Sequence, residues 1–277
     1  VLMPTMTLAK ALNAGLRRAL EADPKVLLAG EDIGKLGGVF RITEHLQRDF
    51  GPDRVIDSPL AESGILGTAI GLGLRGYRPV VEIQFDGFVY PAFDQIISQV
   101  SRFHFRSHGH LTMPMVVRIP YGGGIGAIEH HSESPEAYFA HTPGLKVVTC
   151  SNPVDAYWMI QQAIASDNPI IFFEPKRRYH EKGEVDVEAE PMPLYQARVV
   201  KPGEDLTLVT YGPMVRTCVE AAIAAGEEGR DIEVIDLRSL RPLDTATVIE
   251  SVKKTNRIVC CEEGWRFFGV GAEIAAA

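Results

Sequence analysis

Short apolar runs of strand length alternate with helix-period stretches along most of this chain. That alternation restricts the fold more than any other property of the sequence. The runs are Val26–Ala29, Arg54–Asp57, Pro79–Phe85, Met115–Ile119, Leu145–Thr149 and Ile170–Phe173. Apolar residues at Leu8, Ala11, Leu12, Leu16, Ala19 and Leu20 predict a helix over Thr7–Ala22, stopped by Pro24. Further helices are expected near Ser63–Leu74, Tyr90–Phe103 and Val154–Ala165. A parallel neighbour can be reached only by a crossover, and a helix is the usual one, so the rhythm predicts an α/β fold. Its sheet is expected to be mostly parallel and covered on both faces.

The rhythm breaks at the acidic, proline-bearing stretch from Pro175 to Pro193, read as an interdomain linker. A second alternation follows: Leu206–Thr210, Val215–Ala225, Ile232–Asp236, Ala246–Lys253, Ile258–Cys261 and a helix starting near Val270. Three strands make a thin sheet, so this second domain is read as incomplete. A net charge of −8 argues against a nucleic-acid partner, because phosphates need a basic face. No apolar stretch is long enough to span a bilayer. The four cysteines, Cys150, Cys218, Cys260 and Cys261, show no metal-ligand spacing and fit a reducing compartment. The start at Val1 has no signal-peptide pattern, and an upstream targeting segment is left open.

Gly71–Gly76 matches GxGxxG but ends a helix and precedes a strand, the reverse of a phosphate-binding turn. It is read as a helix stop with close packing. Tyr121–Gly126 is a glycine-rich loop, either a plain connection or a place where backbone approaches a ligand. It leads into Glu129-His130-His131-Ser132-Glu133. Adjacent histidines point apart and rarely share a metal, so one histidine moving a proton in a cleft and a solvated loop histidine are both open readings. Glu62 opens a helix of small apolar residues. As a first-turn acid it is favoured by the helix dipole; buried beside a ligand, it would have its pKa raised by desolvation.

Several segments together resemble the β subunit of the E1 component of 2-oxo acid dehydrogenase complexes. They are Leu28–Asp32, Asp57–Gly64, Glu82–Phe88, Pro91–Gln95, His131–Ala137, Pro143–Val148 and Val234–Arg238, in the family's order along nearly the whole chain. The resemblance implies a transketolase-like architecture: a pyrimidine-binding domain over 1–175, a linker over 176–196 and a transketolase C-terminal domain over 197–277. It implies thiamine diphosphate shared with an α subunit that holds most of the Mg²⁺, and a structural K⁺ held by backbone carbonyls. Glu62 would hydrogen-bond the pyrimidine ring, and Phe88 would pack on it, an ordinary core phenylalanine being the alternative. His131 would transfer protons, with Gln84 and Tyr90 lining the cleft. Implied partners are an E1 α subunit in an α2β2 heterotetramer, a lipoyl-bearing E2 and a small 2-oxo acid. The location would be cytoplasmic in a bacterium, or the mitochondrial matrix after loss of a transit peptide.

The oxo acid is signalled two ways. Glu82–Phe88, Pro91–Gln95 and Phe172–Lys176 look like the branched-chain, 2-oxoisovalerate type. Glu263-Gly264-Trp265 and Gly269–Ile274 look like pyruvate dehydrogenase β chains. The cleft-side segments favour branched-chain substrates. Pyruvate or acetoin dehydrogenase β chains, and a non-catalytic scaffold of the same fold, are the alternatives.

Overall fold

The computed structural model describes residues 3–277. A seven-stranded sheet has the spatial order Ser239–Arg241, Lys146–Thr149, Ile170–Pro175, Val116–Tyr121, Arg78–Glu82, Val26–Gly30 and Val55–Asp57. All pairs among the last six are parallel. Ser239–Arg241 closes one edge antiparallel, lent by the second half of the chain. The α/β class expected from the alternation is present.

Both faces of this sheet are dry. Val117, Ile119, Tyr121, Val147, Ile171 and Phe173 enter one core, while Val116, Val148, Ile170 and Phe172 enter the other. Helix Leu8–Ala22 buries the apolar stripe read from its spacing, and Thr7 caps it by accepting the Lys10 N–H. With helix Pro153–Ala165 it covers the second core; helix Glu62–Leu74 covers the first. The Gly71–Gly76 run does terminate that last helix, with Gly76 left-handed at φ 85°.

Two expectations need correction. Tyr90–Phe103 is not one helix but a 3₁₀ turn Asp86–Ala92, a π turn Gln95–Val100 and a short helix Phe103–Arg106. Pro91 has no N–H to donate and crowds the preceding carbonyls, so a regular α-helix cannot run through it. The second sheet has four strands, not three: Ile258–Cys261, Leu206–Thr210, Ile232–Asp236 and Arg198–Lys201, the last antiparallel. Arg198 and Lys201 bracket that edge strand and masked its short apolar signal. The 176–196 stretch is docked: Lys182–Glu184 pairs with Thr5–Thr7, Val185 and Leu194 are buried, and Trp158 donates to the Asp186 carbonyl. Among the described residues no helix is long and apolar enough to cross a membrane.

One cation ties three parallel strands together inside the second core. Arg118 meets Glu82 at 2.6 Å and Glu174 through two bonds of 2.6 and 3.0 Å, and Tyr179 also donates to Glu174. Burial pushes the Glu82 carboxyl up, while the Arg118 charge pulls it back. Removing the cation would leave two buried carboxylates facing each other. Arg118→Met is therefore expected to lower stability by about 3–5 kcal/mol, read as an earlier midpoint in urea unfolding. A loss within experimental error would show that the carboxylates accommodate its removal.

Candidate functional site

A sheet buried on both faces leaves its polar chemistry to the strand ends. In open parallel sheets, ligands bind beyond the carboxyl ends, where the strand order reverses. Here the chain steps from Val26–Gly30 outward to Val55–Asp57 and then back to Arg78–Glu82 on the other side. Glu31 and Asp32 follow the first of these strands. Glu62 opens the helix after the second, and Gln84, Phe88 and Tyr90 follow the third. His131 lies in the loop after the next strand, Val116–Tyr121. Every candidate site residue named from the sequence is thus beyond the carboxyl end of a strand of one sheet.

Glu62 is only 8% exposed. It is the first residue of its helix, where free N–H groups and the dipole favour a carboxylate. Among the described residues no chain donor bonds its carboxylate. Its charge reaches Glu31, whose pKa is raised first by burial, then by Asp32 and Glu62. A largely buried side chain whose carboxylate takes no bond from within the chain offers that acceptor to a ligand.

The histidine loop and the Asp86–Ala92 turn are stitched together by backbone. The Gly87 N–H donates to the His130 carbonyl at 3.0 Å. A Cβ on Gly87 would stand 2.3 Å from the His130 Cα, so only glycine permits this approach. Asp86 accepts the Glu133 N–H and pairs with Lys176 at 2.8 Å, both side chains fully buried. Desolvation pushes Asp86 up and Lys176 down, and each charge pulls the other back.

These ties place His131 against Phe85 and Phe88, at ring-centroid distances of 4.3 and 5.4 Å, both edge-to-face. The His131 Nδ1 lies 2.8 Å from the Glu129 carbonyl. A carbonyl can only accept, so Nδ1 carries the proton in the neutral ring and Nε2 is free to exchange one. His130 adopts φ 65° and its ring lies 6.0 Å from Phe88. Tyr90 is at the rim and donates to Glu133 at 3.4 Å. Burial, then the Glu133 charge, pushes its hydroxyl up to about 12. Gln84 is half-buried beside Phe85 and stands outside the ring cluster. The structure therefore brings His131 and Phe88 together, sets Tyr90 on their rim, and holds Glu62 at a neighbouring strand end.

Sequence reasoning missed Phe85, Asp86, Lys176 and Glu136. The first two lie inside the quoted Glu82–Phe88 segment, but nothing in one dimension pairs Asp86 with a lysine 90 residues on. Glu136 is fully buried where the histidine loop re-enters the fold, and its Oε1 has no partner. Desolvation, then the charges of Glu262 and Glu263, lift its pKa from 4.5 to about 8.

The family models agree with this architecture. Residues 4–182 match the transketolase pyrimidine-binding domain and residues 195–277 the transketolase C-terminal domain. A solved structure described as a split-gene transketolase, an inactive β4 tetramer, superposes with a TM-score of 0.82 at 22% identity, over 98% of this chain and 84% of that one. The fold is therefore transketolase-like. The chain is 60% identical to the β subunit of the pyruvate dehydrogenase E1 component of Leifsonia xyli, over 98% of this chain and 81% of the relative. It is 52% identical to the 3-methyl-2-oxobutanoate dehydrogenase β subunit of Mycobacterium tuberculosis, over 98% and 78%. Against the 2-oxoisovalerate dehydrogenase β subunit of Pseudomonas aeruginosa the identity is 46%, over 98% and 81%. The chain belongs to the E1 β subunits of the 2-oxo acid dehydrogenases, a family of oxidoreductases with both pyruvate and branched-chain types among these relatives.

The raised pKa of Glu136 has a stability consequence. The folded protein keeps a proton that the unfolded chain releases near pH 4.5, so this group lowers stability progressively as pH rises from 4.5 to about 8. Glu136→Gln removes that slope. The melting temperature of the variant relative to the parent is expected to rise across this window; a difference independent of pH would contradict the assignment.

Proposed function

We propose that the strand-end surface bearing Glu62, Phe88 and His131 is the pyrimidine-side half of a thiamine-diphosphate site in a 2-oxo acid dehydrogenase E1, with Glu62 and His131 as its working groups. The observation that carries this reading is the Glu62 side chain, largely buried at a helix opening, with a carboxylate that takes no bond from within the chain. Thiamine diphosphate, when bound, supplies an electron sink for loss of carbon dioxide from a 2-oxo acid. Glu62 would hydrogen-bond the cofactor's pyrimidine ring and share a proton with it from its largely buried place at the helix opening. Phe88 offers a half-buried ring to the same heterocycle, and Gln84 and Tyr90 border it. His131, with Nδ1 committed to Glu129, delivers or takes a proton at Nε2 as the acyl group passes to the lipoyl carrier of E2.

The rest of the site belongs to other chains. Among the described residues no three His, Cys, Asp or Glu side chains converge as metal ligands, so no step is assigned to a divalent ion held here. Diphosphate and Mg²⁺ are placed on an E1 α subunit in an α2β2 assembly, with K⁺ on backbone carbonyls of this chain. Leu60 is 72% exposed and Ile128 83%, close in sequence to Glu62 and His131. Exposed apolar side chains this close in sequence to the two site residues are ones that a covering subunit would bury. The bacterial relatives support a cytoplasmic location over a mitochondrial one.

For the substrate we favour branched-chain 2-oxo acids, because the segments of that type, Glu82–Phe88 and Phe172–Lys176, supply the Phe85 and Phe88 rings against His131 and the Asp86–Lys176 pair that anchors their turn. Initial rates of the co-purified αβ enzyme on 2-oxoisovalerate and on pyruvate decide this: a higher kcat/KM on pyruvate reassigns the chain to the other type.

Glu62→Gln keeps the size of the side chain and loses the shared proton. Decarboxylation by the αβ enzyme is expected to fall at least about 100-fold with an unchanged unfolding midpoint, and near-normal turnover would exclude the role. His131→Ala is expected to cut lipoyl-dependent turnover by about 100-fold or more; full activity with lipoyl-bearing E2 would remove His131 from the mechanism.

A further inference from the structure

The loop that carries His131 is held from outside its own sheet. Glu263 lies just past the strand Ile258–Cys261 of the second sheet. Its carboxylate pairs with Arg177 at 2.6 Å and accepts the Gly123 N–H at 3.3 Å. It presses on bare backbone: Gly122 is left-handed at φ 86°, and a Cβ there would stand 2.7 Å from the Glu263 Oε2. Arg177 presses on the next turn, where a Cβ on Gly124 would stand 2.9 Å from its Cδ. Arg177 also donates to the Pro213 carbonyl, at the head of a helix in the second half. The glycines of Tyr121–Gly126 are thus what admits an ion pair against the main chain.

The clamped loop is closed on itself. The Gly122 N–H donates to the Glu133 carbonyl at 2.9 Å, and the Glu133 N–H donates to Asp86. Between these ties run the residues up to His131, and most of that stretch is exposed. The Glu263–Arg177 pair holds the entry of this stretch, and the Gly87–His130 bond holds its far end.

We infer that Glu263 is a positioning residue for the reaction: with Arg177 it fixes the glycine-rich loop and so the angle at which His131 meets the strand-end surface. This makes the second domain a determinant of the histidine's geometry, and it rests on the role given to His131 above. The alternative is an ion pair that joins the two halves and contributes only to overall stability. Misplacing a proton-transferring group by about 1 Å can cost on the order of 100-fold in rate without touching substrate binding, so the two readings separate in kinetics and in local dynamics.

The test uses the chain co-purified with its α subunit, comparing E263Q, R177Q and the double variant. Amide exchange over residues 122–131 is expected to quicken about tenfold in E263Q while both sheets keep their protection. The kcat is expected to fall about tenfold, with KM for the 2-oxo acid within about twofold of the parent. R177Q should reproduce both effects, and the double variant should be no worse than either single one. Unchanged exchange over 122–131, or a uniform rise across both sheets, overturns the proposal. Faster loop exchange with unaltered kcat, alongside an inactive H131A, overturns it as well. An active H131A would remove the role of His131 itself, a failure separately visible because the exchange measurement does not depend on it.

Discussion

Burial of the main sheet on both faces governs where this molecule can do chemistry. Its central strands spend their side chains on two cores, so polar and charged groups that touch a ligand must come from the loops at the strand ends. The carboxyl ends collect Glu31, Glu62, Gln84, Phe88, Tyr90 and His131 from four successive connections. Residues far apart in sequence meet there because parallel strands in register bring their ends together, whatever the length of the intervening helices.

Holding those loops requires charges in dry places. Asp86–Lys176 fixes the turn that bears Phe88, and Arg118 with Glu82 and Glu174 fixes the strands beneath it. Such groups gain little net stability over an apolar core, yet they tolerate few alternative arrangements, which suits a site whose geometry matters more than its depth. The Glu263–Arg177 pair extends the same device across the two halves of the chain.

Much of this was legible in the sequence. Strand positions along Val26–Gly30, Ile170–Pro175 and Leu206–Thr210 follow from apolar runs, and the stop at Gly71–Gly76 follows from its place after a helix. Tyr90–Phe103 misled because helix-period apolar spacing outweighed Pro91 in the reading, whereas the missing N–H decides the backbone. Arg198–Lys201 escaped because an edge strand needs little hydrophobicity. Glu62, Phe88 and His131 could be named from segments that resemble a family. The Asp86–Lys176 tie, the bare approach of Gly87 to His130 and the unpaired Glu136 are facts of tertiary contact, and no local pattern encodes them.

The central claim is that this chain supplies one side of a divided cofactor site. Calorimetric titration of thiamine diphosphate with Mg²⁺ into the chain alone, and into the chain with its α subunit, addresses it directly. The account predicts saturable binding only when the α subunit is present. Equally tight binding by the isolated chain would contradict it.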